Sequence, residues 1–385
     1  MADIYKLRNQ IKHYEWGSPH LIPEFLGLEN GSTNAGAKIP YAEMWMGTHT
    51  GAPSQAEIGG KLVNLSELSG GLPFLFKLIA VEKPLSIQAH PNKEKAAEGF
   101  RQEEEAGLAI RAPTRNFKDT NHKPEMLCAL SPFTLMAGFR EFADIEKSLE
   151  DFLALLPQFK EIISPLFRAL NTGSLAVFFR ILFNLSKLER EYLSSMISEK
   201  EAGDVMAPQQ WNLIKYFAAQ YPEDPAILSP LYLNLITLQA GQVVFIPDGI
   251  LHAYISGFGI ELMANSDNVL RGGLTPKYID IPKLMSILNF FPFMPPVFSP
   301  DSTSRFRYPV QCEDFSLSFL CSGGEKNIIE NGPAICIVTE GEVLANGIKY
   351  KKGESFFISR SSGTEPVVLD GNYFLFAAAE GFVAV

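Results

Sequence analysis

The stretch Gly241-Gln-Val-Val-Phe-Ile-Pro247-Asp-Gly249-Ile-Leu-His252 sets out a glycine turn, a short apolar run, a proline turn carrying Gly249, and a histidine that opens the next segment. β-Branched and aromatic residues in so short a run, bounded on both sides by turn formers, read as a strand and not as a helix. Its neighbours share that texture: Tyr232-Leu-Asn-Leu-Ile-Thr-Leu238 comes before it and His252-Ala-Tyr-Ile255 follows. In isolation Pro247-Asp248-Gly249 is an ordinary β-turn with His252 beside it.

Working outward, Lys38 to Leu130 is mostly short alternating apolar runs, among them Pro73 to Ala80 and Glu125 to Leu130, and reads as antiparallel β. From Phe142 to about Pro230 the spacing turns helical: Ile145, Leu149, Phe152, Leu153 and Leu156 recur on one face, as do Leu185, Leu188, Tyr192, Leu193 and Met196. Strands return at Leu231, so the helices read as an insertion into a β unit. Pro282 to Leu288 reads as a short helix and the proline-rich Phe291 to Pro300 as a linker. Beyond it, Ala334 to Val338, Gly341 to Ala345 and Gly353 to Ile358 repeat the β-turn rhythm of Leu238 to Ile246, as a diverged second jelly-roll copy would. That copy has no histidine. The expected division is 1–141 with 231–290 as a discontinuous catalytic β domain, 142–230 as the helical insertion, and 291–385 as a C-terminal β domain without a metal site.

The 385 residues, 46% of them hydrophobic, are enough to bury a substantial core. A net charge of −10, with no long basic run, argues against nucleic acid as a partner. The apolar stretch from Ser174 to Leu185 is broken by Arg180 and is too short for a membrane span. Met1 to Leu7 shows no secretion signal, so a cytoplasmic location is expected. Cys128, Cys312, Cys321 and Cys336 lack CxxC spacing, which fits reduced thiols better than a disulfide framework or zinc ligation.

Of six histidines (His13, His20, His49, His90, His122 and His252), two sit in suggestive settings. A strand through Ser86-Ile-Gln-Ala-His-Pro91 turns Ser86, Gln88 and His90 to one face and hides Ile87 and Ala89. In Asn121-His-Lys-Pro-Glu125, Lys123 and Glu125 share a face and His122 points the other way. One reading makes Lys123 and Glu125 a surface charge pair. The other makes Glu125 an inward ligand and Lys123 a pocket cation. Gln88, His90, Glu125 and His252 then supply two imidazoles and two oxygen donors, a set suited to Zn²⁺ with coordination left open for water or substrate.

The turn before His252 resembles the second motif of the cupin jelly rolls, in which that histidine points into the barrel. More specifically, Tyr14-Glu-Trp-Gly17, Ala42-Glu-Met-Trp-Met-Gly-Thr-His49, Leu85 to Lys93, Asn121 to Glu125, Gly249 to Tyr254 and Asn265 to Lys277, in that order, resemble the type I mannose-6-phosphate isomerases over essentially the whole chain. The resemblance implies a mainly β protein with an inserted α-helical domain and two cupin-like antiparallel jelly-roll domains. It also implies one Zn²⁺ per chain and interconversion of mannose 6-phosphate and fructose 6-phosphate. By the same resemblance the zinc ligands fall on Gln88, His90, Glu125 and His252, and the catalytic arginine on Arg271.

Aldose–ketose isomerisation removes a proton α to a carbonyl and stabilises an enediol(ate), so it needs an acid/base group and an electrophile. Zinc would orient the O1 and O2 oxygens. Glu261, sharing strand parity with Met263, is the candidate proton carrier, with His and Lys groups as open alternatives. Arg271 and Lys277 are expected to hold the enediolate or the phosphate, with Lys93 and Lys123 as further cations. Trp16 and Tyr254 are candidate walls for the sugar, Ser86 a candidate substrate contact, and Glu43 and Asp267 candidate orienting groups. The phosphosugar is the expected partner and a monomer the expected state. Two histidines and a carboxylate also form the iron site of cupin oxygenases. A sugar-phosphate-binding module is the remaining competitor.

Overall fold

The computed structural model describes residues 3–29, 38–301, 303–322, 327–329, 332–359 and 366–381; Met1, Ala2 and the last four residues, which entered the readings above, lie outside them. The described strands pair antiparallel in two sheets. One is organised by the strand His252–Ala264. Its far half lies between Phe74–Val81, in register from Gly257↔Val81 to Ala264↔Phe74, and Glu125–Ala129, from Gly259↔Ala129 to Met263↔Glu125. Its near half pairs with Phe133–Phe139 and, at His252↔Gln88, with the short strand Ile87–Ala89. One strand serves both flanks because it bends at Gly257. There φ is +134°, and a Cβ would sit 2.7 Å from the Phe133 backbone, so a side chain is excluded.

The expected strand Val243–Ile246 is present and joins Glu125–Ala129, with Ile246 opposite Glu125. The stretch read as a linker is not wholly irregular: Val297-Phe298 adds an edge pair to Val243-Val244. The expected short helix spans Ile281–Ile287. Leu270–Gly273 pairs with Ile87–Ala89, with Arg271 opposite Gln88.

The run of helices begins at Phe142 and ends at Tyr232, between Phe133–Phe139 and Leu233–Leu238. Those two strands pair with each other at Phe139↔Leu233, so the chain departs from and returns to neighbouring points of one sheet. Phe152, Phe159, Phe178, Phe179 and Trp211 pack with Phe139 and Tyr232 in one apolar cluster that also takes in Ile87, Ala89 and Leu251. Each such side chain contributes about 1.5–3 kcal/mol by burial. The stripe Leu185 to Met196 is only partly right. Ser186 and Glu189 form a reciprocal cap that starts the helix at Lys187, its buried face is Leu193, Ser194 and Ile197, and Leu188 and Tyr192 are exposed.

The second sheet holds Ala334–Ala345 against Val367–Ala379. The two short strands read at Ala334 to Val338 and Gly341 to Ala345 are one strand with a bulge between Val338 and Glu340 and a left-handed Gly341. Ile4–Arg8 also belongs here, through Ile4↔Ile358, and carries Gln55–Ile58 with it. The two sheets therefore do not part at residue 290. The four cysteines are free thiols, three of them buried.

Candidate metal centre

The long strand and its neighbours bring three separate segments to one point. His90 Nε2 lies 3.2 Å from Glu125 Oε1, and His252 Nε2 lies 3.1 Å from Glu125 Oε2. The Gln88 amide is 3.4 Å from His252 Nε2, and a half-turn of that amide presents its oxygen there. Ligand atoms of His90, Glu125 and His252 all lie within 4.8 Å of one another, the one such group among the described residues.

Second bonds fix the imidazoles. His90 Nδ1 donates to the Asn268 carbonyl at 2.6 Å and His252 Nδ1 to the Ile250 carbonyl at 3.0 Å, because a carbonyl only accepts. Both Nε2 lone pairs are thereby turned toward Glu125. Burial, then the Lys123 ammonium, pushes His90 down to about 4, so it is neutral at pH 7. Burial pulls Glu125 the other way, but the Lys123 ammonium outweighs it and holds the carboxyl well below its usual range. His90 Nε2 and Glu125 Oε2 are buried without a hydrogen bond, and Glu125 Oε1 has the Lys123 ammonium beside it. Converging lone pairs left in that state fit a cation. Lys123 Nζ lies 2.8 Å from Glu125 Oε1, which makes it an interior group and not half of a surface pair.

Glu261 does face inward, as its parity required, and it is already engaged: Lys77 Nζ donates to its Oε2 at 2.7 Å. Glu43 is 3.8 Å from the same ammonium and accepts from Trp45 Nε1 at 2.7 Å. Burial opposes the charge on Lys77, but Glu261 and Glu43 raise its pKa overall. Tyr254 is fully buried with its ring edge-on to Phe133, so it offers the site only its hydroxyl, whose pKa burial and then Glu261 push up.

Beside these groups opens a cleft of about 870 Å³ lined by Arg111, Arg115, Lys118, Asp267, Arg271 and Lys277, with Thr50, Gly51 and Tyr278. Arg115 is paired with Glu103 and Glu104, and Asp267 with His49 at 3.4 Å. Arg111, Lys118, Arg271 and Lys277 have no carboxylate partner among the described residues. Burial, then Arg271, then Lys118 lowers the Lys277 pKa, as expected where cations crowd together. An anion would relieve that repulsion.

Some expectations need correcting. Lys93 is exposed on a helix surface and pairs with Glu313 at 3.3 Å, because it is the first residue of the helix Lys93–Glu105 and points outward. Trp16 is half-buried, stacked on Tyr14 and packed with the apolar cluster around Tyr254. Ser86 is half-buried just ahead of the strand bearing Gln88.

Lys77, Arg111, Lys118 and Asn268 escaped the sequence reading. Lys77 did leave a signal, since a lysine inside the uninterrupted apolar run Phe74–Val81 must be paired if it is buried. The basic residues at 111 and 118 gave none, because they lie on a loop without periodicity.

Comparison with known proteins bears on this arrangement. Residues 4–142 match the family described as phosphomannose isomerase type I, catalytic domain. The chain is 35% identical over 394 residues to mannose-6-phosphate isomerase of Escherichia coli (strain K12), covering 96% of this chain and 97% of that one. It is 31% identical to the Bos taurus enzyme of the same name, over 92% and 93% of the two chains. A zinc-bound crystal structure of a mannose 6-phosphate isomerase superposes with a TM-score of 0.85 at 33% identity, over 98% of this chain and 100% of that one.

Proposed function

The chain belongs to the type I mannose-6-phosphate isomerase family, and we propose that it interconverts D-mannose 6-phosphate and D-fructose 6-phosphate by proton transfer through an enediol(ate) at a single Zn²⁺ site. The observation that carries this reading is the adjacency of a buried two-histidine, one-glutamate cluster to a cleft of unpaired cations. Gln88, His90, Glu125 and His252 would hold the ion. When bound, zinc supplies Lewis-acid polarisation of sugar oxygens without redox change.

The protein groups do the rest. Arg271, whose backbone is fixed opposite Gln88, presents its guanidinium to the developing oxyanion, and Lys277 binds the phosphate with Arg111 and Lys118. Lys123 holds Glu125 and faces the reacting end. Glu261 is the proton carrier, with Lys77 keeping it oriented. Asp267 faces the same cleft as a substrate contact.

The same reading takes the sheet around the metal site, interrupted by the helices of 142–230, as a catalytic cupin-like jelly roll, and the other sheet as a second, metal-free cupin-like domain. It also takes the protein to work as a monomer in the cytoplasm; no helix among the described residues is long and apolar enough to cross a membrane. The deciding experiment is turnover of mannose 6-phosphate to fructose 6-phosphate with and without chelator. Activity that vanishes on chelation and returns with zinc supports the proposal, and full activity in metal-free protein refutes it. Oxygen consumption would instead indicate an iron oxygenase.

A further inference from the structure

Arg271 and Lys277 stand on one short loop, Arg271-Gly-Gly-Leu-Thr-Pro-Lys277, and they repel each other across it. Only the loop's first residues are held by strand pairing, through Arg271↔Gln88 and Gly273↔Ile87. The next residue, Leu274, is buried and adopts a left-handed φ of 55°, a conformation that costs a non-glycine residue of this kind about 1–2 kcal/mol. Such a backbone persists only where its surroundings fix it.

What fixes it comes from the end of the helical run, some fifty residues earlier. Asp224 Oδ2 accepts from the Leu274 N–H at 2.6 Å, while its Oδ1 accepts from the Ala226 N–H at 2.9 Å and caps the 3₁₀ turn Pro225–Leu228. That turn closes on the loop so tightly that a Cβ on Gly273, whose φ is +125°, would lie 2.2 Å from the Ala226 Cβ. One carboxylate thus ties the helical run to the loop with one oxygen for each. Pro276, two residues past the tie, lines the cation cleft.

We propose that Asp224 is a positioning residue for substrate binding: its bond to Leu274 sets the conformation of the 271–277 loop and so the spacing of Arg271 and Lys277 in the cleft. The proposal rests on the reading of that cleft as the phosphosugar site. Asp224 touches neither the substrate nor the metal ligands, so its loss should leave the metal site intact while moving the cations.

The cap and the tie can be separated. Serine is a good N-cap, so Asp224→Ser keeps the bond to Ala226, but its shorter side chain has no second oxygen for Leu274. Asp224→Ser and Asp224→Ala should keep the zinc content of the wild type, and Asp224→Ser, which retains the cap, should lose less of the urea unfolding midpoint than Asp224→Ala. In both, KM for mannose 6-phosphate should rise about tenfold or more, with kcat reduced less, because small misplacements of binding groups are amplified in this way. The dissociation constant of inorganic phosphate, read by calorimetry, should weaken in step, with Lys277→Ala as the reference. A wild-type KM and wild-type phosphate affinity in Asp224→Ser would overturn the proposal. Failure of both variants to fold would overturn it too, since Asp224 would then be a residue of stability. If the wild type does not isomerise mannose 6-phosphate, the functional reading fails, and the phosphate titration still decides the role of Asp224.

Discussion

Lys77 and Glu261 are register partners on adjacent antiparallel strands, and their side chains meet in the interior with Nζ 2.7 Å from Oε2. Both are almost wholly buried, and Glu43 stands on the far side of the same ammonium. Removing one member of a buried pair leaves the other charge unsolvated, so Lys77→Met should cost about 3–5 kcal/mol. The double variant Lys77→Met/Glu261→Gln should recover much of that loss. Urea unfolding of the wild type, both single variants and the double variant measures the coupling, and additive losses would show that the pair is not a unit.

Metal removal should act on stability as well as on turnover. The buried His90 Nε2 and Glu125 Oε2, which lack hydrogen bonds, become a liability in the apoprotein. Zinc at a hundred times its dissociation constant stabilises by about 2.7 kcal/mol. Thermal unfolding with and without chelator should show a clear downward shift, and Glu125→Gln should be insensitive to added zinc. An equal zinc response in Glu125→Gln would remove Glu125 from the ligand set.

Much of this site was legible before any coordinates, and the residues that were legible share a property. Gln88, His90, Glu125 and His252 are polar groups embedded in strand patterns, where alternation states which way each points. Glu261 was placed inward by the same parity with Met263. Lys93 was misjudged because its sequence neighbourhood fixes the element but not the direction it faces: it begins a helix that faces solvent. The cleft cations Arg111 and Lys118 depend on a loop fold set by distant partners. The Asn268 side chain accepts from the Lys118 and Asp119 N–H groups, and such a contact across about 150 residues has no local signature. The merging of two short strands into Ala334–Ala345 and the capture of Ile4–Arg8 by the second sheet are likewise choices of tertiary pairing.

His122 predicts an alkaline limit to stability. Its Nε2 lies 2.6 Å from Asp314 and its Nδ1 3.2 Å from Asp248. Burial opposes its charge, but the two aspartates outweigh burial and raise it from 6.5 to about 9. The folded state then binds the proton more tightly than the unfolded state. The stabilisation is fully present below pH 6.5 and is lost as pH rises through about 9, to an extent of about 3 kcal/mol at most. Urea midpoints at pH 6.5 and 9 should fall for the wild type and change little for His122→Gln.

His90 has the opposite sign. In metal-free protein its pKa is depressed from 6.5 to about 4, so the unfolded chain binds the proton more tightly. Stability contributed by neutral His90 is present above pH 6.5 and is lost as pH falls toward 4. Protons compete for the same Nε2 that would ligate zinc, so bound zinc should be released only as pH falls through about 4. Equilibrium dialysis between pH 7 and 3 measures this, and zinc binding unchanged at pH 3 would exclude His90 as a ligand.

The unpaired cations of the cleft predict how the enzyme should respond to anions. Arg111, Lys118, Arg271 and Lys277 face one volume in which Asp267, paired with His49, is the one lining carboxylate among the described residues, in a protein whose net charge is −10. A charge-assisted hydrogen bond to phosphate is worth about 1.5–3 kcal/mol, so Lys118→Ala or Arg111→Ala should raise KM for mannose 6-phosphate by about tenfold or more. If these residues hold only the phosphate, kcat should change little, whereas Arg271→Ala should lower kcat as well if its guanidinium serves the oxyanion as proposed. Inorganic phosphate should compete with substrate in the wild type and more weakly in the Lys118 and Arg111 variants. Unchanged KM and unchanged phosphate inhibition in both variants would move the phosphate away from this cleft, and the transferred proton with it, since one substrate must span both ends.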